Sequence, residues 1–214
     1  TAAVADALVA EGVESMLADE LTADEAVQIA LLNNRRLQAT FENLGIARAD
    51  LIEAALPENP VYDLETLLRK GREPIFEMKL TQNFIGILLI PLKMRLKKTE
   101  LERVKKEVTG AVFDLALRTR QTYYLLQLNR LTLAVRQKQL LAQKQSYEAA
   151  KRLREAGNLK ELDVLIHRAQ YERMKLQVAG TEVQVQQTRE QLNGLMGLYG
   201  ANTGWQVTAA LPSV

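Results

Sequence analysis

Between Leu92 and Glu155 the chain carries no proline and a single glycine, Gly110. Nothing in that stretch removes a backbone donor, so the sequence predicts one helix of roughly 64 residues, on the order of 95 Å long at 1.5 Å per residue. Ordinary compact domains do not need such a helix. It stops at Ala156-Gly157-Asn158, and Gly and Asn are the residues that tolerate the left-handed conformation of a helix C-terminus. The chain therefore reverses at Gly157, and a second helix of roughly 38 residues, Leu159 to Met196, runs back antiparallel to the first. Leu162, Ile166, Ala169, Arg173, Leu176, Gly180 and Val183 recur there at steps of three and four and form the expected seam.

Composition agrees with an elongated, helix-rich body. Among 214 residues there are 11 glycines, 5 prolines and 5% aromatics. Lys and Arg (28) nearly balance Asp and Glu (26), and the net charge of +2 offers no electrostatic case for nucleic acid. The basic cluster Lys93-Met94-Arg95-Leu96-Lys97-Lys98 reads as a solvated or interfacial helix start. With no cysteine, disulfides, thiol catalysis and cysteine-ligated metal are excluded. No run of 18 apolar residues predicts a transmembrane helix, and the longest apolar run, 85–90, is broken by Pro91. The first residue is Thr1, with neither Met nor a basic leader, the expectation for a processed product or a piece of a longer protein.

Upstream of the long helix the pattern changes twice. Val4 to Leu17 is a short, weakly specified helical candidate. Thr22 with Glu25 three residues on forms a capping box for a helix running to about Leu56, where Pro57 stops it. Its expected face is Ala26, Ile29, Ala30, Asn33, Leu37, Thr40, Leu44, Ala47 and Leu51. Between Pro57 and Pro91 the period falls to two, in strands over 61–68 and 75–84 joined by the polar loop Arg69 to Glu73. Tyr62, Leu64, Phe76, Met78, Leu80 and Phe84 fall on the apolar side. Each strand is about 10 residues, the length of a tilted transmembrane β-strand, although a hairpin lying on a soluble core has the same pattern. An isolated hairpin is marginal in water, which calls for partner strands from elsewhere.

Catalytic chemistry finds no foothold. His167, the only histidine, has no cysteine or second histidine to complete a metal set. No nucleophile–base–orienter set is visible, and the glycines at 194, 197, 200 and 204 follow no strand, so they make no dinucleotide fingerprint. The sequence predicts a protein that is not an enzyme and carries no cofactor or metal. Trp205 reads as an anchor on the helices.

The segments that carry a family likeness are 21–34 (Leu21-Thr22-Ala23-Asp24-Glu25-Ala26 through Asn33-Asn34), 57–60, Ala156-Gly157-Asn158 with Leu162-Asp163-Val164-Leu165, and 189–198 with Leu192-Asn193-Gly194-Leu195. In this order and spacing, over about residues 21 to 212, the chain resembles the N-terminal repeat of the TolC family of outer-membrane efflux proteins. The resemblance implies a mainly α fold of long antiparallel coiled-coil helices with one β-hairpin, a TolC-like α-barrel/β-barrel half-protomer. Full-length chains with two such repeats would form a homotrimer, closing a barrel in outer-membrane lipid above a periplasmic helical tunnel. The layout becomes an N-terminal segment (1–20), a first tunnel helix (21–56), a barrel hairpin (57–91), a long α-hairpin (92–196) and an equatorial segment with linker (197–214). Only one repeat is present, so the expected form is half of such a subunit.

By that resemblance the strand residues Tyr62, Leu64, Phe76, Met78, Leu80 and Phe84 face lipid and the loop around Gly71 is extracellular. Ala156, Gly157, Asn158 and Leu159 form the periplasmic tip that meets the adaptor (membrane fusion) protein of a tripartite pump, with the inner-membrane transporter engaged indirectly. Glu155, Glu161 and Asp163 cluster near this tip; Asp163 is the candidate constriction residue, the other reading being ordinary surface acids at a helix start. The alternative function is a periplasmic adaptor or coiled-coil scaffold, whose strands would flank the helical hairpin on both sides.

Overall fold

The computed structural model describes residues 12, 13, 15–17, 19–67 and 75–208. Residues 12, 13 and 15–17 are helical; the rest of the predicted helix at 4–17, the loop at 69–73 with Gly71, Leu68, and 209–214 lie outside the described residues. The elements are α1 (Ala23–Asn33), α2 (Arg35–Ala54), β1 (Val61–Leu67), β2 (Ile75–Thr81), α3 (Phe84–Leu88), α4 (Ile90–Glu155), α5 (Glu161–Met196) and a 3₁₀ turn (Gly200–Thr203). They group into two units, one holding the described residues up to Arg35 together with those from Val112 onward, the other Arg36–Ala111.

In the first unit α1 starts on the predicted capping box. Thr22 Oγ1 accepts the Glu25 amide at 3.3 Å, and Glu25 Oε2 accepts the Thr22 amide at 2.8 Å. The single helix expected from Thr22 to Leu56 is interrupted at Asn34, whose ψ of 107° is extended. The cause lies 160 residues away in sequence. Asn33 Nδ2 donates to the carbonyls of Met196 (3.1 Å) and Gly197 (2.9 Å), and Asn34 Nδ2 to that of Leu195 (2.9 Å). These are carbonyls at the C-terminus of α5, which no intrahelical donor reaches. Two short amide side chains thus cap another helix, and Asn34 leaves the helical pattern to do so.

The α4–α5 seam is a strict heptad. On α5, Val164, Tyr171, Val178, Val185 and Leu192 alternate with His167, Met174, Thr181, Thr188 and Leu195, every one buried or half-buried. Cross-pairs Asn129–Thr188 (3.0 Å), Arg136–Thr181 and Ser146–His167 (3.2 Å) show one residue number rising as the other falls, the mark of antiparallel helices, and Tyr147 stacks on Tyr171 (centroids 6.1 Å). The seam expected from sequence is the other face of α5. Leu162, Ile166, Leu176 and Val183 are exposed by 66, 47, 75 and 55%, and Ala169, Arg173 and Gly180 are exposed with them. Helix α5 is apolar on two faces, and the face that meets α4 is the one interrupted by Thr and His.

Above this seam the core gathers Leu21, Ile29, Tyr123, Leu126, Leu192, Met196, Trp205 and Val207. The segment after α5 returns to the start of α1 through a parallel bridge between Leu21 and Val207, with the Leu21 amide on the Gln206 carbonyl at 2.7 Å.

In the second unit α2 lays Leu44 and Ala47 against Leu101, Val104 and Val108 of α4, and Lys97 Nζ meets Asp50 at 2.7 Å. Strands β1 and β2 pair antiparallel. The second strand is shorter than the expected 75–84: Asn83 Oδ1 accepts the Gly86 amide at 3.0 Å and caps α3, which moves Phe84 from strand to helix. Helix α4 begins at Ile90, two residues earlier than expected, because Pro91 falls in the first turn, where its missing N–H costs no hydrogen bond.

Candidate functional site

Two sites expected from sequence can be built from their residues. The first is the reversal between α4 and α5. Gly157 has φ of 78°; its amide reaches the Arg154 carbonyl at 2.8 Å while that of Asn158 reaches Leu153 at 2.8 Å. This crossed pair is a Schellman cap, and it satisfies the last carbonyls of α4 in a turn only a left-handed residue can make. Ala156, Gly157 and Asn158 are exposed and Leu159 half-buried. An exposed ion pair, Arg154 to Glu161 at 3.0 Å, spans the turn. Beside it lies a groove of about 360 Å³ whose charged rim is Lys151, Arg154, Glu155, Glu161 and Arg168, with Tyr147 at its side.

Asp163 sits with Glu161 in the first turn of α5, half-exposed, where carboxylates favour the positive end of the helix dipole. His167 is turned into the seam, its Nδ1 against Ser146 Oγ. No group of three or more metal-ligating side chains occurs among the described residues.

The second site is the strand pair. The register sets Tyr62 opposite Leu80, Leu64 opposite Met78 and Thr66 opposite Phe76 on one face. Asp63 faces Lys79 and Glu65 faces Glu77 on the other. The apolar residues are exposed by 59 to 78%, so the pair offers a bare apolar face and a charged one. Phe84, expected to extend this face, stands instead on α3, 72% exposed. Among the described residues no helix is long and apolar enough to cross a membrane.

Comparison with solved structures finds this arrangement repeatedly. The outer-membrane channel OprN matches with a TM-score of 0.69 at 20% identity, over 88% of this chain and 45% of its own. The Campylobacter jejuni CmeC outer membrane channel matches at 0.73 and 19%, over 90% of this chain and 45% of its own. The fold is that of a TolC-family half-protomer. The outer membrane protein VceC of Vibrio cholerae extends the likeness at 0.73 and 12% identity, over 90% and 51% of the two chains. The chain thus spans about half the length of these structures. No family model matches its sequence, and no curated protein matches it either.

Within this TolC-type half-protomer the residues that hold the elements together are mostly ones the sequence pattern did not single out. Trp205 is buried, as expected of an anchor, and its Nε1 donates to Asn193 Oδ1 at 2.9 Å. Arg189 lies over the indole at 4.6 Å and donates to the Thr203 (2.7 Å) and Trp205 (2.6 Å) carbonyls. Burial pulls the Arg189 guanidinium below its ordinary pKa, and nearby Arg130 pulls it the same way. Burial also pushes the Tyr123 phenol above its ordinary value; its hydroxyl donates to the Leu21 carbonyl at 2.7 Å. A tandem Asn pair after an apolar helix and a glycine at the foot of α5 were the available signals for the α1–α5 clamp.

Proposed function

We propose that the chain is half of an outer-membrane channel subunit, a passive conduit in a tripartite efflux pump. Full-length subunits would assemble as a homotrimer in which the strand pair joins a lipid-embedded β-barrel and the α4–α5 tip lies in the periplasm. Tyr62, Leu64, Phe76, Met78 and Leu80 would face lipid, and Ala156, Gly157, Asn158 and Leu159 would meet an adaptor protein. Asp163 would line the constriction at that tip, and the inner-membrane transporter would be reached through the adaptor.

One observation carries the reading: a hairpin with one exposed face that is apolar except for Thr66, attached to long antiparallel helices in the TolC-type fold. A membrane barrel needs that alternation of apolar outward and polar inward residues. The chain contains no cysteine, which makes the adaptor contact testable. Asn158→Cys in the parent protein, treated with a short bifunctional cross-linker in cells, should yield a product with the adaptor. Labelling at Gln137→Cys with none at the tip would count against the tip assignment.

A further inference from the structure

Between the strand pair and the main body of α4, the second unit carries a surface that the conduit reading leaves unexplained. Phe84, Ile85, Leu88, Leu89, Leu92 and Leu96 are exposed by 72, 73, 80, 45, 56 and 64%. Their spacing places them on one helical stripe, Phe84, Leu88, Leu92 and Leu96 in a row four apart with Ile85 and Leu89 beside it. The stripe survives the junction of α3 and α4, because Leu89 stays in the right-handed helical region, its amide on the Ile85 carbonyl (3.2 Å) and its carbonyl under the Lys93 amide (3.0 Å).

Charge is arranged around the stripe asymmetrically. Residues 84–99 hold four basic side chains and no acidic one, whereas Asp63, Glu65 and Glu77 outnumber Lys79 in the described strands. Two of the basic groups are committed: Lys93 to Glu58 (3.5 Å) and Lys97 to Asp50 (2.7 Å). Arg95 and Lys98, neighbours three residues apart on the helix, make no ion pair among the described residues. Along the chain the order is apolar strand face, aromatic and aliphatic helix, then two cations outside any ion pair, Lys98 being one turn before Glu102. A segment that crosses from acyl chains through the headgroup layer into water has this order.

We infer that α3 and the first two turns of α4 form a membrane-interface footing. The stripe from Phe84 to Leu96 rests at the acyl boundary, and Arg95 with Lys98 binds the phosphates of anionic phospholipid headgroups on the same side. The inference rests on the strand pair being a membrane element. Its partner is a bilayer surface; the absence of acids from 84–99 suits an anionic one, since each basic side chain near it strengthens attachment.

The test uses the full chain with an environment-sensitive fluorophore on Leu88→Cys or Met78→Cys, and vesicles of phosphatidylethanolamine with phosphatidylglycerol. Both labels should shift to the blue on binding, with Met78 quenched by bromine deep in the acyl chains and Leu88 by bromine near the headgroups. Replacing both cations, Arg95→Gln with Lys98→Gln, should weaken binding to these vesicles by about 10- to 30-fold and leave binding to pure phosphatidylcholine nearly unchanged. If Met78 enters lipid while Leu88 stays in water, or if the double variant binds like the parent, the footing is overturned and the strand reading stands. If both labels stay in water, both readings fall. A Leu88 shift that grows with protein concentration in the absence of vesicles would assign the stripe to a second copy of the chain and overturn the footing.

Discussion

Gly197 is the residue with the least freedom to change. Its φ of 68° already disfavours a side chain, and an added Cβ would lie 2.6 Å from the Asn33 carbonyl oxygen. Gly197→Ala is therefore expected to destabilise the first unit by at least about 2 kcal/mol, from left-handed strain and displacement of the Asn33 clamp together; urea unfolding followed by circular dichroism measures it. Gly157 has the same sign of φ but open space around it, so Gly157→Ala should cost less, about 1 kcal/mol. The buried phenol of Tyr123 gives a pH dependence. Its folded-state pKa is raised, so its stabilisation is complete below about pH 10 and is lost as pH climbs through the raised value. The melting temperature should fall faster above pH 10 in the parent than in Tyr123→Phe, as a thermal scan series would show.

The two faces of α5 make opposite predictions. Val178→Gln puts an amide into the α4 seam and should cost about 2–3 kcal/mol. Leu176→Gln, on a residue 75% exposed, should change the stability of the single chain by less than about 0.5 kcal/mol; denaturant titration of the two variants compares them. The difference also explains what sequence reasoning found and missed. Period two in the strands was readable because the residues of one face are nearly all apolar and all the charged ones lie on the other, and the register places Tyr62, Leu64, Phe76, Met78 and Leu80 together as the alternation required. The C-terminal end of α4 was readable from Gly157, whereas its start falls two residues before the expected Leu92 because the first turn accommodates Pro91. Periodicity alone does not choose between two apolar stripes on α5, and Thr181 and Thr188 interrupt the α4-facing one. Those hydroxyls bond their own helix at Gln177 (2.8 Å) and Gln184 (2.8 Å) while serving Arg136 and Asn129, an accounting invisible in a list of apolar positions. The break at Asn34 was hidden for a related reason: its cause lies at Leu195, far outside any local window.

For the molecule as a whole, near-balanced charge combines with exposed leucines on α4 and α5, such as Leu117, Leu128, Leu162 and Leu176. Proteins with little net charge and large bare apolar faces associate. The chain should sediment above its monomer mass of 24.0 kDa in detergent-free buffer and move toward it in a mild non-ionic detergent, with Leu176→Gln shifting the balance the same way. The clamp between Asn33, Asn34 and the foot of α5 joins residues more than 160 positions apart, and this sets an order of events in time. A growing chain cannot complete the seat of its first helix until about residue 197 has been made, so this contact waits through the synthesis of everything between. Contacts of such sequence separation are the slow ones in folding. During that wait the apolar side of α1, Ala26 and Ile29, is bare, and whatever keeps a nascent chain from aggregating has this surface to shield.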